Sequence, residues 1–71
     1  MATDVTAPMV GKILKIEAAP GSKLNEDDTV VVMEAMKMEI PVVAPASGTV
    51  REIRVSVGEM VDSDQVIAVI E

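Results

Sequence analysis

Few side chains in this sequence have the chemistry of a catalytic site. Asp27 and Asp28, and again Asp62 and Asp64, are close enough for general acid–base work or calcium binding. Neither pair has the spacing of a calcium loop, and both lie beside turn signals, so we interpret them as solvated turn residues. A Ser–His nucleophile is excluded because no histidine accompanies the serines, which are Ser22, Ser47, Ser56 and Ser63. We expect no catalytic residue, no metal site and no enzyme activity from this domain alone.

Lys37 is the one reactive side chain with unusual neighbours. It lies between Met36 and Met38, close to the midpoint of the 71 residues. A tight turn favours asparagine, aspartate or glycine, whereas these methionines place flexible apolar groups at a predicted tip. One interpretation is a hairpin lysine that keeps a strand edge soluble. The other is a functional lysine, because local conflict with folding preferences is typical of functional positions.

An internal repeat places Lys37 at a junction. A shift of 37 positions aligns identical residues along the chain, namely Ala7/Ala44, Pro8/Pro45, Gly11/Gly48, Ile16/Ile53, Gly21/Gly58, Asp27/Asp64, Val32/Val69 and Glu34/Glu71. Apolar residues replace one another at further positions, among them Ile13/Val50, Leu24/Val61, Val30/Ile67 and Met33/Ile70. Two copies favour a closed domain with a pseudo-twofold axis over an open solenoid. We therefore expect residues 1–71 to form a single domain in which the junction has no internal counterpart.

The elements that position the junction are predicted to be short strands. Glycine, proline and β-branched residues argue against helix, and we expect an all-β flattened barrel or sandwich of seven or eight strands. Ile13 and Ile16, like Val50 and Ile53, are three apart, which predicts a β-bulge in each copy. The predicted strand segments are Asp4–Ala7, Gly11–Glu17, Thr29–Met33, Glu39–Val43, Gly48–Val55 and Val66–Ile70, with short strands beginning at Leu24 and Val61.

Composition limits the partners of the chain. Its net charge of −6, its six scattered lysines and arginines and its lack of aromatic residues argue against nucleic-acid binding. The longest apolar runs, Val30–Met33 and Val66–Ile70, fall far short of the roughly 20 residues that a membrane span needs. The segment Met1–Asp4 lacks the features of a signal peptide. We expect a soluble, cytoplasmic domain without membrane insertion.

The hexapeptide Glu34–Glu39, with the sequence EAMKME, resembles the attachment motif of the biotinyl domains, the biotin carboxyl carrier family. The resemblance extends to Ala7-Pro8-Met9, Pro20-Gly21 and the repeat glycines, so it covers nearly the whole chain. It implies that a biotin protein ligase attaches biotin to Lys37 through an amide. It also implies a carrier that serves biotin carboxylase and carboxyltransferase partners. Residues expected to contribute to recognition by the ligase or partners are Glu34, Ala35, Met36 and Met38.

The chain departs from the family pattern at two places. Asp27 and Asp64 occupy turn positions where the family usually has glycine. Aspartate tolerates the left-handed backbone, so we expect the turns to survive. The "thumb" insertion of some acetyl-CoA carboxylase carriers has no counterpart between Gly11 and Lys37, which does not favour assignment to that enzyme.

Two alternatives remain at this point. A lipoyl domain of a 2-oxo acid dehydrogenase shares the expected fold and lysine, although its motif usually has aspartate before the lysine and alanine after it. An unmodified assembly module would use the same barrel and leave Lys37 without an adduct. The mass of the protein from its native cells distinguishes the three.

Overall fold

The fold consists of eight short strands. The structure, a computed structural model, describes residues 2–71, and Met1, part of the segment examined for a signal peptide, lies outside them. The strands are β1 (Thr3–Thr6), β2 (Gly11–Ile16), β3 (Lys23–Leu24), β4 (Thr29–Ala35), β5 (Met38–Val43), β6 (Gly48–Ile53), β7 (Met60–Val61) and β8 (Val66–Ile70). The all-β expectation is confirmed. Among the described residues there is no helix long and apolar enough to cross a membrane.

The strands form two four-stranded sheets with the orders β1-β8-β6-β3 and β5-β4-β2-β7. A shift of 37 residues superimposes the sequence of β2, β3 and β4 on that of β6, β7 and β8, and that of β1 on part of β5. Replacing each strand by its equivalent turns the order of one sheet into the order of the other. Each sheet therefore combines strands from both copies. The twofold relation predicted from the repeat is confirmed, and the two copies interlock.

The predicted β-bulges occur in both copies. The pairing of β2 with β4 shifts register between Ile13 and Lys15, and that of β6 with β8 shifts between Val50 and Glu52. Each bulge allows two apolar residues with a spacing of three to face inward. The β-bulges thus explain the spacing of three between the paired apolar residues in each copy, as predicted.

The core is aliphatic and lies between the two sheets. Its largest fully buried side chains come from both copies of the repeat, and they are Ile13, Met33, Ile67, Ile70, Val5, Val30, Val31, Val50 and Val61. Burial of apolar surface contributes roughly 25 cal/mol per Å². Among the described residues no polar or charged side chain is buried. Burial of these aliphatic side chains therefore holds the sheets together.

The β4–β5 hairpin and the pair formed by Thr3 and Ile70 lie at opposite ends of the fold, whose long axis is 32 Å. Gly11, beside the hairpin, pairs with Val61 of β7. The turn over residues 62–65 then returns the chain to β8, whose five residues lead about 16 Å away, at roughly 3.3 Å per residue. At the far end of β8, Ile70 pairs with Thr3. Thr3 and Ile70 thus lie side by side, away from the hairpin.

Candidate functional site

Lys37 occupies the tip of a two-residue hairpin. Ala35 at the end of β4 pairs with Met38 at the start of β5, leaving only Met36 and Lys37 in the loop. Their φ angles are 53° and 63°. Two consecutive positive φ angles characterise a type I′ turn, whose twist matches that of the flanking strands. The strands thus extend closer to the lysine than the sequence predicted, because β4 continues from Met33 through Ala35.

The side chains at the tip project into solvent. Lys37 is exposed, Met36 and Met38 are 84% and 64% exposed, and Ala35 beneath them is only 4% exposed. The ion pairs among residues 2–71 join Lys15 to Glu17, Arg51 to Glu71 and Arg54 to Glu52, so none holds the Lys37 amine. An amine without such a partner is free to enter the active site of another protein.

Close packing supports the base of the hairpin. An added Cβ on Gly11 would lie 2.5 Å from both the backbone oxygen of Glu34 and Cε of Met33. Met33 is itself fully buried. Glycine at this position therefore lets β2 approach the last residues of β4, and the buried methionine anchors the strand that leads to the tip.

Two exposed carboxylates face each other just below the tip. Glu34 on β4 pairs across the hairpin with Glu39 on β5, and Lys12 of β2 flanks Glu34 on its other side. Like charges directly opposite one another are unfavourable in a sheet. In Glu71, the repeat counterpart of Glu34, the carboxylate Oε1 lies 3.7 Å from Nη1 of Arg51. Glu34 forms no ion pair among the described residues. Sequence reasoning identified Glu34 but missed Glu39, because only the tight hairpin shows that they are opposite.

The aspartates that we interpreted as solvated turn residues lie in the turns between strands in the structure. Asp27 and Asp64 have φ angles of 74° and 68°, the left-handed conformation expected where the family has glycine. The Asn25 amide donates to Oδ2 of Asp28 at 2.8 Å. In the second copy the Asp62 amide donates to Oε1 of Gln65 at 3.0 Å. Within residues 2–71 no group of acidic side chains is arranged to hold a metal ion.

Comparison with known proteins identifies the family of this hairpin-bearing fold. The sequence model of the biotin/lipoyl family, described as "Biotin-requiring enzyme", matches residues 3–70. The chain belongs to this biotin/lipoyl family. The resemblance stated from the hexapeptide is therefore confirmed.

Relatives of the biotin/lipoyl domain include a short chain and much longer enzymes. The chain is 41% identical to the biotinylated protein TB7.3 homolog of Mycobacterium leprae, with 99% of each chain covered. It is 39% identical to pyruvate carboxylase of Bacillus subtilis and 42% identical to a biotin-dependent acyl-coenzyme A carboxylase alpha3 subunit of M. leprae. In those two cases 94% of this chain matches only 6% and 11% of the relative. The family and the biotinylated relative identify biotin as the cofactor, as the resemblance implied.

Solved structures show the same biotin/lipoyl fold. All of this chain superposes on 6% of the urea carboxylase of Kluyveromyces lactis, with a TM-score of 0.95 and 35% identity. The lipoyl domain of the 2-oxoglutarate dehydrogenase complex of Azotobacter vinelandii superposes with a TM-score of 0.78 and 26% identity, covering 96% of this chain and 94% of that domain. The flattened barrel with two related halves is thus confirmed.

Proposed function

We propose that Lys37 carries biotin as an amide and that the chain is a biotin carboxyl carrier. The observation that supports this most strongly is the geometry of the β4–β5 hairpin. Its tip presents an exposed lysine without an ion-pair partner among residues 2–71, in a chain of the biotin/lipoyl family. The lysine chemistry also fits the cofactor, because an amine and a carboxyl group are joined by an amide bond.

Attachment requires one reaction at Lys37. A lysine in water is protonated at neutral pH, so a base of the biotin protein ligase must first remove a proton from the ammonium. The free amine then attacks the activated biotinyl carbonyl and forms a new C–N bond. The bond from the carbonyl carbon to the activating group breaks, this group leaves with the electron pair, and the nitrogen loses a second proton. The product is a neutral amide, so the tip loses one positive charge. The hairpin's contribution is to hold the amine away from the barrel.

The four recognition residues contribute in different ways. Met36 and Met38 present the largest exposed apolar surface of the hairpin, and flexible methionines suit a surface that several partners must contact. The exposed carboxylate of Glu34 is available to a basic group of the ligase. Ala35 is buried, so it serves as a small spacer beneath the tip and does not contact the ligase directly.

Lys37 would hold the biotin, which would supply the group that carries a carboxyl from a biotin carboxylase to a carboxyltransferase, or from a decarboxylase. Lysine and biotin together form an arm of about 15 Å by standard bond lengths. Tethering gives an effective concentration of about the millimolar scale for short linkers. The chain supplies this proximity and no catalytic group. The relatives are named for pyruvate, acyl-coenzyme A and urea, which suggests that the partner enzyme selects the substrate.

A lipoyl carrier is the second candidate because the lipoyl domain from A. vinelandii shares the fold. The residues next to the lysine favour biotin over lipoic acid, since methionine flanks Lys37 on both sides. The matched carboxylase relatives favour biotin as well. An unmodified assembly module would leave the free amine.

Intact-mass analysis of the protein from its native cells, combined with streptavidin capture, tests the proposal. We expect a mass increase of one biotinyl group and capture on streptavidin. Lys37→Arg should fold as the wild type does and accept no biotin, because arginine is always charged and cannot form the amide. A lipoyl mass, or an unmodified mass from cells with active ligase, would contradict biotinylation.

A further inference from the structure

Three of the five methionines within residues 2–71 are largely exposed, and Met9 is half-buried. Met36, Met38 and Met60 are 84%, 64% and 63% exposed, whereas Met33 is fully buried. Thioethers are oxidised by hydroperoxides to sulfoxides, and the exposed ones are the accessible targets. Two of these three lie directly on either side of Lys37. Met60 lies on β7, which is separated from β4 by β2.

The backbone conformation at the hairpin tip is one that methionine does not favour. Met36 has a φ of 53°, a conformation that asparagine or glycine adopts more easily. Among the described residues no large side chain covers it, since it is 84% exposed. The residue thus stabilises neither the turn nor the core. The Met36 side chain is therefore available to contact a protein that binds at Lys37.

We propose that Met36 and Met38 form a hydroperoxide-sensitive modification site, and that their oxidation suppresses biotinylation of Lys37. This inference rests on the proposed function and assigns it a form of regulation. In the reaction the thioether sulfur attacks the terminal oxygen of the hydroperoxide and forms an S–O bond while the O–O bond breaks. Sulfur loses two electrons, the hydroperoxide is reduced to its alcohol or to water, and the product is methionine sulfoxide.

Oxidation changes the surface that the ligase must contact. A methionine side chain is apolar and is favourably buried in an interface, whereas the sulfoxide is polar and chiral. Burial of an unpartnered polar group opposes docking. We expect kcat/KM for biotinylation to fall about tenfold or more, which corresponds to about 1.4 kcal/mol. The fold should persist, because Met33, the methionine that anchors β4, is fully buried.

The test uses the unbiotinylated chain, tert-butyl hydroperoxide and a biotin protein ligase. Peptide mass analysis locates each added oxygen, and ligase kinetics are measured before and after oxidation. Met36 and Met38 should oxidise together with Met60 and well before Met33. The biotinylation rate should fall and then recover after treatment with the two methionine sulfoxide reductases, which act on opposite epimers.

Leucine variants show which oxidised residue is responsible. The double variant M36L/M38L should keep the same rate before and after peroxide, whatever its starting rate. M60L should remain as peroxide-sensitive as the wild type, because its tip methionines are still present. Inhibition that persists in M36L/M38L, or that disappears in M60L, would overturn the assignment to the tip.

Two further outcomes separate this inference from the proposed function. Equal biotinylation before and after full oxidation of Met36 and Met38 would refute the regulatory role and leave the carrier role intact. Failure of the untreated chain to accept biotin would refute the carrier role, and the regulatory role with it.

Discussion

At the scale of single residues, the function that we propose for the hairpin tip conflicts with the local stability of the turn. Met36 and Lys37 both have positive φ angles, and neither is a residue type that favours this conformation. The sequence identified the conflict because no asparagine or glycine occurs in the turn. It did not show that both residues adopt the strained conformation, since that depends on the pairing of Ala35 with Met38.

Met36→Asn should therefore stabilise the protein and impair its biotinylation. Asparagine is preferred at the first loop position of a type I′ turn, and we expect a gain of about 0.5–1 kcal/mol. For a domain of this size each kcal/mol raises Tm by roughly 4–8 °C. Calorimetry and ligase kinetics measure the two effects. Met60→Asn serves as a control, because asparagine is unfavourable in the β7 strand and should not raise Tm. Unchanged stability of the Met36 variant would show that the turn is not strained.

At the scale of elements, the repeat predicted the turns, the bulges and most strand positions. Turn prediction succeeded at Asp27 and Asp64 because aspartate tolerates the positive φ angles that both residues adopt. The end of β4 was predicted too early because Glu34 interrupts the apolar pattern, and Ala35 is too small to extend it.

The ion pairs of the two copies occupy equivalent positions with the charges reversed. Lys15 and Glu17 in the first copy correspond to Glu52 and Arg54 in the second. The hydrogen bond from Arg54 lowers the pKa of Glu52.

The two repeat glycines allow a matched test of hairpin support. An added Cβ on Gly11 would lie 2.5 Å from the Glu34 backbone oxygen, and one on Gly48 would lie 2.9 Å from the Glu71 backbone oxygen and 2.5 Å from Cγ2 of Ile70. Gly11→Ala and Gly48→Ala should each destabilise the fold by roughly 1–3 kcal/mol, as overpacking does. Urea unfolding measures this loss.

Only Gly11→Ala should also slow biotinylation, because Gly11 packs against the strand that carries the tip. The comparison is made at a temperature where both variants are folded. Equal biotinylation rates in the two variants would show that the packing beneath the hairpin does not position Lys37.

At the scale of the whole molecule, the sequence predicted two copies but not how they interlock. Internal similarity shows which residues are equivalent, whereas the assignment of strands to sheets depends on long-range pairing. Each sheet takes its two inner strands from one copy and its two outer strands from the other, with β1 and β3 outside β8 and β6, and β5 and β7 outside β4 and β2. The residue types of the core follow from the composition, since an aromatic-free chain has only aliphatic side chains and methionine to bury.

A folded domain fused after Glu71 should leave the biotinylation rate unchanged. Thr3 and Ile70 pair at the end of the fold that faces away from the hairpin, so the added domain would not cover Lys37. The measurement is ligase kinetics on the fusion and on the unfused chain. A marked loss of rate would indicate that the ligase also contacts the end of the barrel where Thr3 and Ile70 pair.

The pseudo-twofold axis has a consequence for stoichiometry. A symmetric barrel has two equivalent apices, and a second hairpin would lie where Thr3 and Ile70 pair. At that apex the first and last strands, β1 and β8, pair instead. Duplication therefore supplies both halves of one barrel but only one hairpin tip, so each folded chain would carry one biotin if Lys37 is the acceptor that we propose.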